Sequence, residues 1–334
     1  MASQNSLPRR IRAHCKGTCM KKIRQEFADT MVEIGRLDPK LIVMVGDISH
    51  GILQPFAQQC PGRYFNVGIC EPTIVNMAAG VAKTGLIPVV HTIAPFIIER
   101  AYEQIKLDFG YQKLGVNLIS VGSAFDYSQL GCSHHCYTDF SLMSHFKNSH
   151  VFFPSSPIEF NLLFKAAYKN REINYFRLPE TPHGVELDPG KIEIGKAIKI
   201  RDGEDLTIVV VGPQLKTALQ ASYLLSNRGL SVDLLYYPTI KPFDQEATLL
   251  SIAKTKRVLV IEEASSHDGI FNFVLRTVKH LSGVEYGHIS IDDFIHQYGT
   301  YDELCDLLGF SVAGILKSIE SSFVFKEKCI GLSV

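Results

Sequence analysis

From Ile23 onward the apolar positions of the chain alternate between two rhythms. Ile23, Phe27, Met31 and Ile34 recur near the helical spacing of about 3.6 residues, so residues 20–36 are predicted to form an amphipathic helix. The run Leu41 to Val45 is short and wholly apolar, which predicts a buried strand. The same reading gives helix over 73–84, strand over 86–92, helix over 96–113, strand over 116–122 and a polar, glycine-containing loop over 123–137. A short helix near 139–146 and a strand at 150–154 follow, then a helix at 157–170 and a strand at 173–177. Ser155 or Ser156 is placed to cap that helix, with Pro157 in its first turn. Residues 179–195 hold Pro179, Pro182, Pro189, Gly184, Gly190 and Gly195 with little periodicity, as an exposed connection would. Beyond them the rhythm restarts, with strands at 206–211, 231–237, 257–262 and 287–291. Helices are predicted at 214–228, 244–255, 269–281, 301–309 and 311–322. Strands interleaved with helices imply right-handed crossovers, so the fold class is α/β, with two successive three-layer domains and largely parallel sheets.

Length and charge narrow the function. A chain of 334 residues exceeds the roughly 250–300 at which single cores stop growing, which fits two domains. Lys plus Arg and Asp plus Glu are 34 each, so there is no broad basic field of the kind a general nucleic-acid binder carries. No apolar run is long enough to suggest a membrane span. Cysteines 15, 19, 60, 70, 132, 136, 305 and 329 are scattered rather than dense, which suits thiols in a reducing cytoplasm. Residues 1–25 contain no acidic side chain and seven basic ones, Arg9, Arg10, Arg12, Lys16, Lys21, Lys22 and Arg24. That segment reads as a flexible basic arm, with an organelle transit peptide as the other reading. Neither a phosphate loop, nor a dinucleotide fingerprint after Gly46-Asp47, nor a Gly-x-Ser-x-Gly elbow occurs.

Three clusters fall where strands would deliver loops, the edge at which open α/β sheets bind ligands. Asn66-Val67-Gly68-Ile69-Cys70-Glu71-Pro72-Thr73 sets one carboxylate at a helix N-terminus. Glu71 there is either a functional acid or a charge favoured by the helix dipole. In the stretch Thr92 to Gln104, Phe96 is either a stacking platform or part of a packed stripe with Arg100 and Glu103. Gly131-Cys132-Ser133-His134-His135-Cys136 permits a zinc site, ordinary loop histidines, or contact with substrate or cofactor, although its spacing matches no standard structural zinc pattern.

Taken in order, Asp47, Gly68-Ile69-x-Glu71, Ala78-Ala79-Gly80, Thr92-(x)3-Phe96, Gly131-x-Ser133-His134 and Phe176-Arg177-Leu178-Pro179 resemble the thiamine-diphosphate-dependent transketolase family. Lys241-Pro242-Phe243-Asp244 and Val260-Ile261-Glu262-Glu263-Ala264 extend the likeness over about residues 20–325. The resemblance takes in the pyrimidine-binding and C-terminal domains of that family. Its diphosphate-binding domain, with a Gly-Asp-Gly followed by Asn, has no counterpart here. What it implies is a flexible arm at 1–19, a pyrimidine-binding domain at 20–180, a linker at 181–195, a transketolase C-terminal-like domain at 196–326 and a tail at 327–334. It further implies one subunit of a two-component ketol transferase acting on sugar phosphates or modified sugars. The partner would be the diphosphate-binding subunit, holding Mg2+ or Ca2+, in an α2β2 heterotetramer.

By the same resemblance Glu71 holds N1′ of the cofactor pyrimidine and is catalytic. Asp47, Gly68, Ile69, Ile93, Phe96 and Arg100 line the cofactor site, with Phe96 on the pyrimidine face. His134 lies near the reacting carbonyl as donor or proton relay. Arg24 and Arg177 are expected to grip a substrate phosphate, unless they form surface ion pairs. The departures lie at the sugar end: Gly122 and Gly51 stand where relatives carry a phosphate-binding histidine and serine, Leu130 where they carry an aspartate reading a hydroxyl, and Ile93 where many have a second aromatic. They imply a substrate other than the ordinary pentose phosphate pair. Two alternatives to ketol transfer remain at this point: a decarboxylating enzyme like 1-deoxyxylulose-phosphate synthase or a 2-oxo-acid dehydrogenase, and a non-catalytic assembly subunit.

Overall fold

The computed structural model describes residues 21–267 and 269–325. The expected basic arm and the expected tail lie outside them.

In the first half of the chain the order is α1 (Ile23–Leu37), β1 (Leu41–Val45), α2 (His50–Gln59), β2 (Tyr64–Asn66), α3 (Glu71–Lys83), β3 (Ile87–Ile93) and α4 (Ala94–Ile98). Next come α5 (Tyr102–Gln104), a π-helical segment Ile105–Tyr111, β4 (Val116–Val121), α6 (Asp139–Ser144), β5 (Ser149–Phe152), α7 (Pro157–Ala167) and β6 (Ile173–Leu178). The second half runs β7 (Ile198–Arg201), β8 (Leu206–Val210), α8 (Leu215–Asn227), β9 (Val232–Tyr236), β10 (Thr239–Lys241), α9 (Gln245–Thr255) and β11 (Arg257–Ser265). It ends with α10 (Ile270–Val278), β12 (Glu285–Ile291), α11 (Tyr301–Leu308) and α12 (Val312–Ser322).

The strands form a seven-stranded sheet in the order β10-β5-β6-β4-β3-β1-β2 and a five-stranded sheet in the order β12-β11-β8-β9-β7. Among the described strands, β10 against β5 and β7 against β9 pair antiparallel and the rest parallel. Two α/β units with mostly parallel sheets are therefore present, as the alternation predicted. Four elements escaped the pattern. Helix α2 contains Pro55, β2 is short and exposed, and β7 and β10 are edge strands of alternating or mixed character. The helix predicted over 96–113 is broken into α4, α5 and the π-helical segment, where Gly110 lies so close to Phe146 that a Cβ would come within 2.8 Å of the ring.

Alternation along β1 explains why both faces of the first sheet are covered. Leu41, Val43 and Val45 enter one core, and Ile42 and Met44 the other. Both cores cross the sequence midpoint: the first joins Phe27 and Phe176 to Leu234 and Ile315, the second joins Ile74 and Phe153 to Tyr237 and Val260. Strand β10 strengthens the junction, since Lys241 Nζ donates to Ser144 O at 3.1 Å, to Ser149 Oγ at 3.0 Å and to Phe146 O. Capping is local and legible: Ser156 accepts from Glu159 N at the start of α7, and Thr300 and Glu303 form a reciprocal capping box at α11.

Candidate active site at the strand ends

Because β1, β2, β3, β4 and β6 run parallel, the residues after each of them emerge at one edge. The chain passes from β1 outward to β2 and then back across β1 to β3, so the crevice outside the ends of β1 and β3 is the switch point at which such sheets bind ligands. A basic cavity of about 450 Å³ lined by Lys40, Lys83, Lys113 and Arg171 lies at the opposite edge, against the starts of these strands.

Glu71 opens α3 and is 1% exposed. Its Oε2 accepts from Arg100 Nη1 at 2.8 Å, while Oε1 is buried with no partner. A charge placed only to complement a helix dipole sits in solvent. This one is enclosed with half its hydrogen-bonding capacity unused, which costs roughly 1–3 kcal/mol unless a ligand completes it. Arg100 therefore reaches across to Glu71 instead of forming the intrahelical pair with Glu103. Its Cζ also lies 4.2 Å from the centroid of the Phe96 ring. His134 meets Phe96 edge-on with ring centroids 5.2 Å apart, and Ser133 Oγ is 3.0 Å from His134 Nδ1. The three sequence clusters thus converge as Glu71, Arg100, Phe96 and His134. Ile93, half-buried, ends β3 directly before α4.

Asp47 is exposed and left-handed, with φ of 58°. Its backbone N–H donates to Asn66 Oδ1 at 3.1 Å, and Asn66 Nδ2 donates back to Asp47 Oδ1 at 3.0 Å. The same Asn66 oxygen accepts from Gly68 N at 3.2 Å, so Asn66 ties the loop after β1 to the turn that presents Glu71. Gly68 has φ of 87°, a conformation that favours glycine, and Ile69 beside it is 71% exposed. Asn66 was missed as an organiser. An asparagine two residues before a glycine, between strand and helix, was the available signal.

Two arginines were expected at the substrate end, and the structure separates them. Arg24, half-buried on α1, lies 3.6 Å from Glu180 Oε1. Arg177 is fully buried, with Cζ 4.6 Å from the ring centroids of both Phe140 and Phe153. Its Nη2 donates to Glu263 O at 2.8 Å and Cys136 O at 3.2 Å, and its Nε faces Asp139 at 3.4 Å. The expectation that Arg177 grips a substrate phosphate is corrected accordingly: it lies on β6, every residue of which is buried, and has no surface to offer.

Further polar groups at this edge were not foreseen. His91 is buried, with Nδ1 donating to Ile119 O at 2.9 Å and Nε2 2.8 Å from Ser49 Oγ. Burial, and then the nearby Arg24 charge, push its pKa down to about 4, so it is neutral near pH 7. Tyr127 lies 6.2 Å from His134, ring to ring. Gly122, with φ of 72°, sits under that tyrosine so closely that a Cβ would come within 2.6 Å of its ring. The second histidine of the loop, His135, is 3% exposed with both ring nitrogens unpartnered. Among the described residues no group of three His, Cys, Asp or Glu side chains is placed to hold a metal ion, and Cys132 and Cys136 are free thiols.

With this geometry in view, two family models match the chain: "Transketolase, pyrimidine binding domain" over residues 20–183 and "Transketolase, C-terminal domain" over residues 195–315. The chain is 29% identical over 298 residues to one subunit of an apulose-4-phosphate transketolase from Phocaeicola vulgatus, covering 88% of this chain and 95% of that one. It is 30% identical over 306 residues to a "Putative transketolase C-terminal section" of Methanocaldococcus jannaschii, covering 90% and 95% respectively. A solved structure described as "Split gene transketolase, inactive beta4 tetramer" superposes with a TM-score of 0.81 at 27% identity, over 90% of this chain and 99% of that one.

Proposed function

This chain belongs to the thiamine-diphosphate-dependent transketolase family, and we propose that it is the pyrimidine-binding subunit of a two-component enzyme that transfers a two-carbon ketol unit between sugar substrates. The observation that carries the reading is the buried, unpartnered Oε1 of Glu71 beside an aromatic ring and a histidine at the sheet's ligand-binding edge. An aminopyrimidine fits this arrangement. Its N1′ is a ring nitrogen that a carboxyl oxygen can hold, and its flat face suits an aromatic neighbour. Glu71 would hold the proton shared with N1′, with Arg100 balancing the carboxylate from its other oxygen. Asp47, Gly68, Ile69, Ile93 and Phe96 would bound the ring.

When bound, thiamine diphosphate supplies a nucleophilic thiazolium carbon, activated by the amino group of its own pyrimidine. His134, joined to Ser133 at Nδ1, would donate to oxygen at the reacting carbonyl. Arg24 would bound the substrate end. The diphosphate and its Mg2+ or Ca2+ fall to a second subunit, in an α2β2 assembly. Support comes from relatives named as a transketolase subunit and as a C-terminal section, and from a solved relative described as an inactive tetramer of a split-gene transketolase.

The test is reconstitution. Alone, the chain should show no turnover. With its diphosphate-binding partner, thiamine diphosphate and magnesium, it should transfer a ketol unit from hydroxypyruvate. Glu71→Gln should lower kcat by at least about a hundredfold, the order expected when a positioned proton-transfer group is lost, with assembly intact. Unchanged turnover in that variant would instead favour a scaffold. Consumption of pyruvate in place of hydroxypyruvate would favour the decarboxylating alternative.

A further inference from the structure

Beyond His134 the site continues toward Arg24 through Tyr127 and Glu180, two groups that the chemistry of ketol transfer leaves without a task. Tyr127 meets His134 with ring centroids 6.2 Å apart, and burial, together with the nearby Glu180 carboxylate, pushes the pKa of its hydroxyl up. Glu180 faces the Arg24 guanidinium at 3.6 Å. The backbone N–H of Glu180 donates to Asp126 Oδ2 at 3.0 Å, and so does that of Ser123 at 2.6 Å. Glu180 follows β6 and Tyr127 follows β4, two adjacent strands, so this chain of groups lines the same edge as Glu71. From these contacts we infer that Arg24, Tyr127 and Glu180 form the specificity-determining far end of the substrate site, and that they select a sugar whose far end is an uncharged hydroxyl rather than a phosphate. The inference rests on the ketol-transfer reading and names its substrate class.

Charge balance is the first ground. Phosphate-recognising ends gather positive charge, usually as guanidinium forks with both prongs available. Of the two arginines expected here, Arg177 is sealed between Phe140 and Phe153, and Arg24 already faces a carboxylate. His91, on the neighbouring strand β3, is neutral. Among the described residues an acidic group offsets Arg24: Glu180 is half-buried beside it. A phosphate dianion placed beside Arg24 would also lie beside Glu180, whose repulsion opposes it, whereas a hydroxyl can donate to Glu180 and accept from Arg24 or Tyr127 with no net charge moved. Shape agrees with charge. Tyr127 covers Gly122, so no side chain can extend from position 122, and the aromatic ring narrows the space beyond His134.

The experiment uses the reconstituted two-subunit enzyme with thiamine diphosphate and magnesium. Hydroxypyruvate, which has no far-end sugar hydroxyl or phosphate, serves as donor to report the ketol-transfer reading by itself. Ketol transfer is then measured with D-xylulose against xylulose 5-phosphate as donor, and with D-ribose against ribose 5-phosphate as acceptor. The expected result is a kcat/KM at least about tenfold higher for the unphosphorylated member of one pair, carried mainly by KM. Glu180→Arg should shift that ratio toward the phosphorylated sugar by about tenfold or more, and Glu180→Gln should shift it in the same direction by less. Phosphorylated sugars used equally well or better in both pairs would overturn the inference while leaving ketol transfer standing. A ratio indifferent to both Glu180 variants, with the variants folded by circular dichroism, would also overturn it. Absence of turnover with hydroxypyruvate would overturn the ketol-transfer reading and this inference with it.

Discussion

At the scale of single residues, the difference between Arg177 and Arg100 shows what burial does to a charge. Both are arginines near acidic side chains. Arg100 stands at the site's rim and leaves one oxygen of Glu71 unpartnered, while Arg177 is enclosed, holding Asp139 and two carbonyls from inside the core. Removing it takes the counter-charge from buried Asp139, which then keeps only the Tyr175 hydroxyl at 2.6 Å and the Phe140 N–H at 3.0 Å. Arg177→Met should therefore cost about 3–5 kcal/mol in urea unfolding, the range for breaking a buried ion pair. A residue that gripped substrate would instead raise KM with little change in stability. Glu71 was identifiable from its motif, but its unpartnered oxygen was not, because that depends on Arg100, which lies 29 residues away along the chain.

Among the elements, the long runs were legible and the short edges were not. Strands β1, β3, β4, β6, β8, β9 and β11 are dense in apolar residues, as a strand between two layers of helices must be. By contrast, β10 is three residues that pair with β5 from the other half of the chain, and nothing local marks them as a strand. Its anchor is Lys241, half-buried, whose ammonium is shared by Ser144 O, Phe146 O and Ser149 Oγ. Lys241→Met should lower stability by about 1.5–3 kcal/mol, since it takes a charged donor from acceptors that lie within the fold. A shift in the urea midpoint at constant slope would show this.

For the whole molecule, the seam between the two halves is polar as well as apolar. Glu263 of β11 accepts from Gln214 Nε2 at 2.8 Å, from Ser123 Oγ at 3.3 Å and from Tyr301 OH. Burial pushes its pKa up. Burial first, and then the charge of Glu263, push Asp126 up to about 7. A carboxyl whose folded-state pKa is raised binds its proton more tightly when folded, so its contribution is full below the unfolded value near 4 and is lost as pH rises through about 7. Stability should accordingly fall from about pH 5 to pH 8, and Asp126→Asn should flatten that slope and be the more stable form at about pH 8. Thermal unfolding across this range checks it; an unchanged slope would remove Asp126 as its source.

Much of this protein was determined by its sequence alone. Period and apolar density are local properties, so they mark which segments become strands and helices, and motif order was enough to indicate the family. The tertiary structure alone decided which strand ends meet, that Arg177 turns into the core while Arg24 faces Glu180, and that Tyr127 lies over Gly122. The reason is physical. A side chain's charge and shape are written at its own position, whereas its solvation and its partners come from segments brought beside it by long-range pairing.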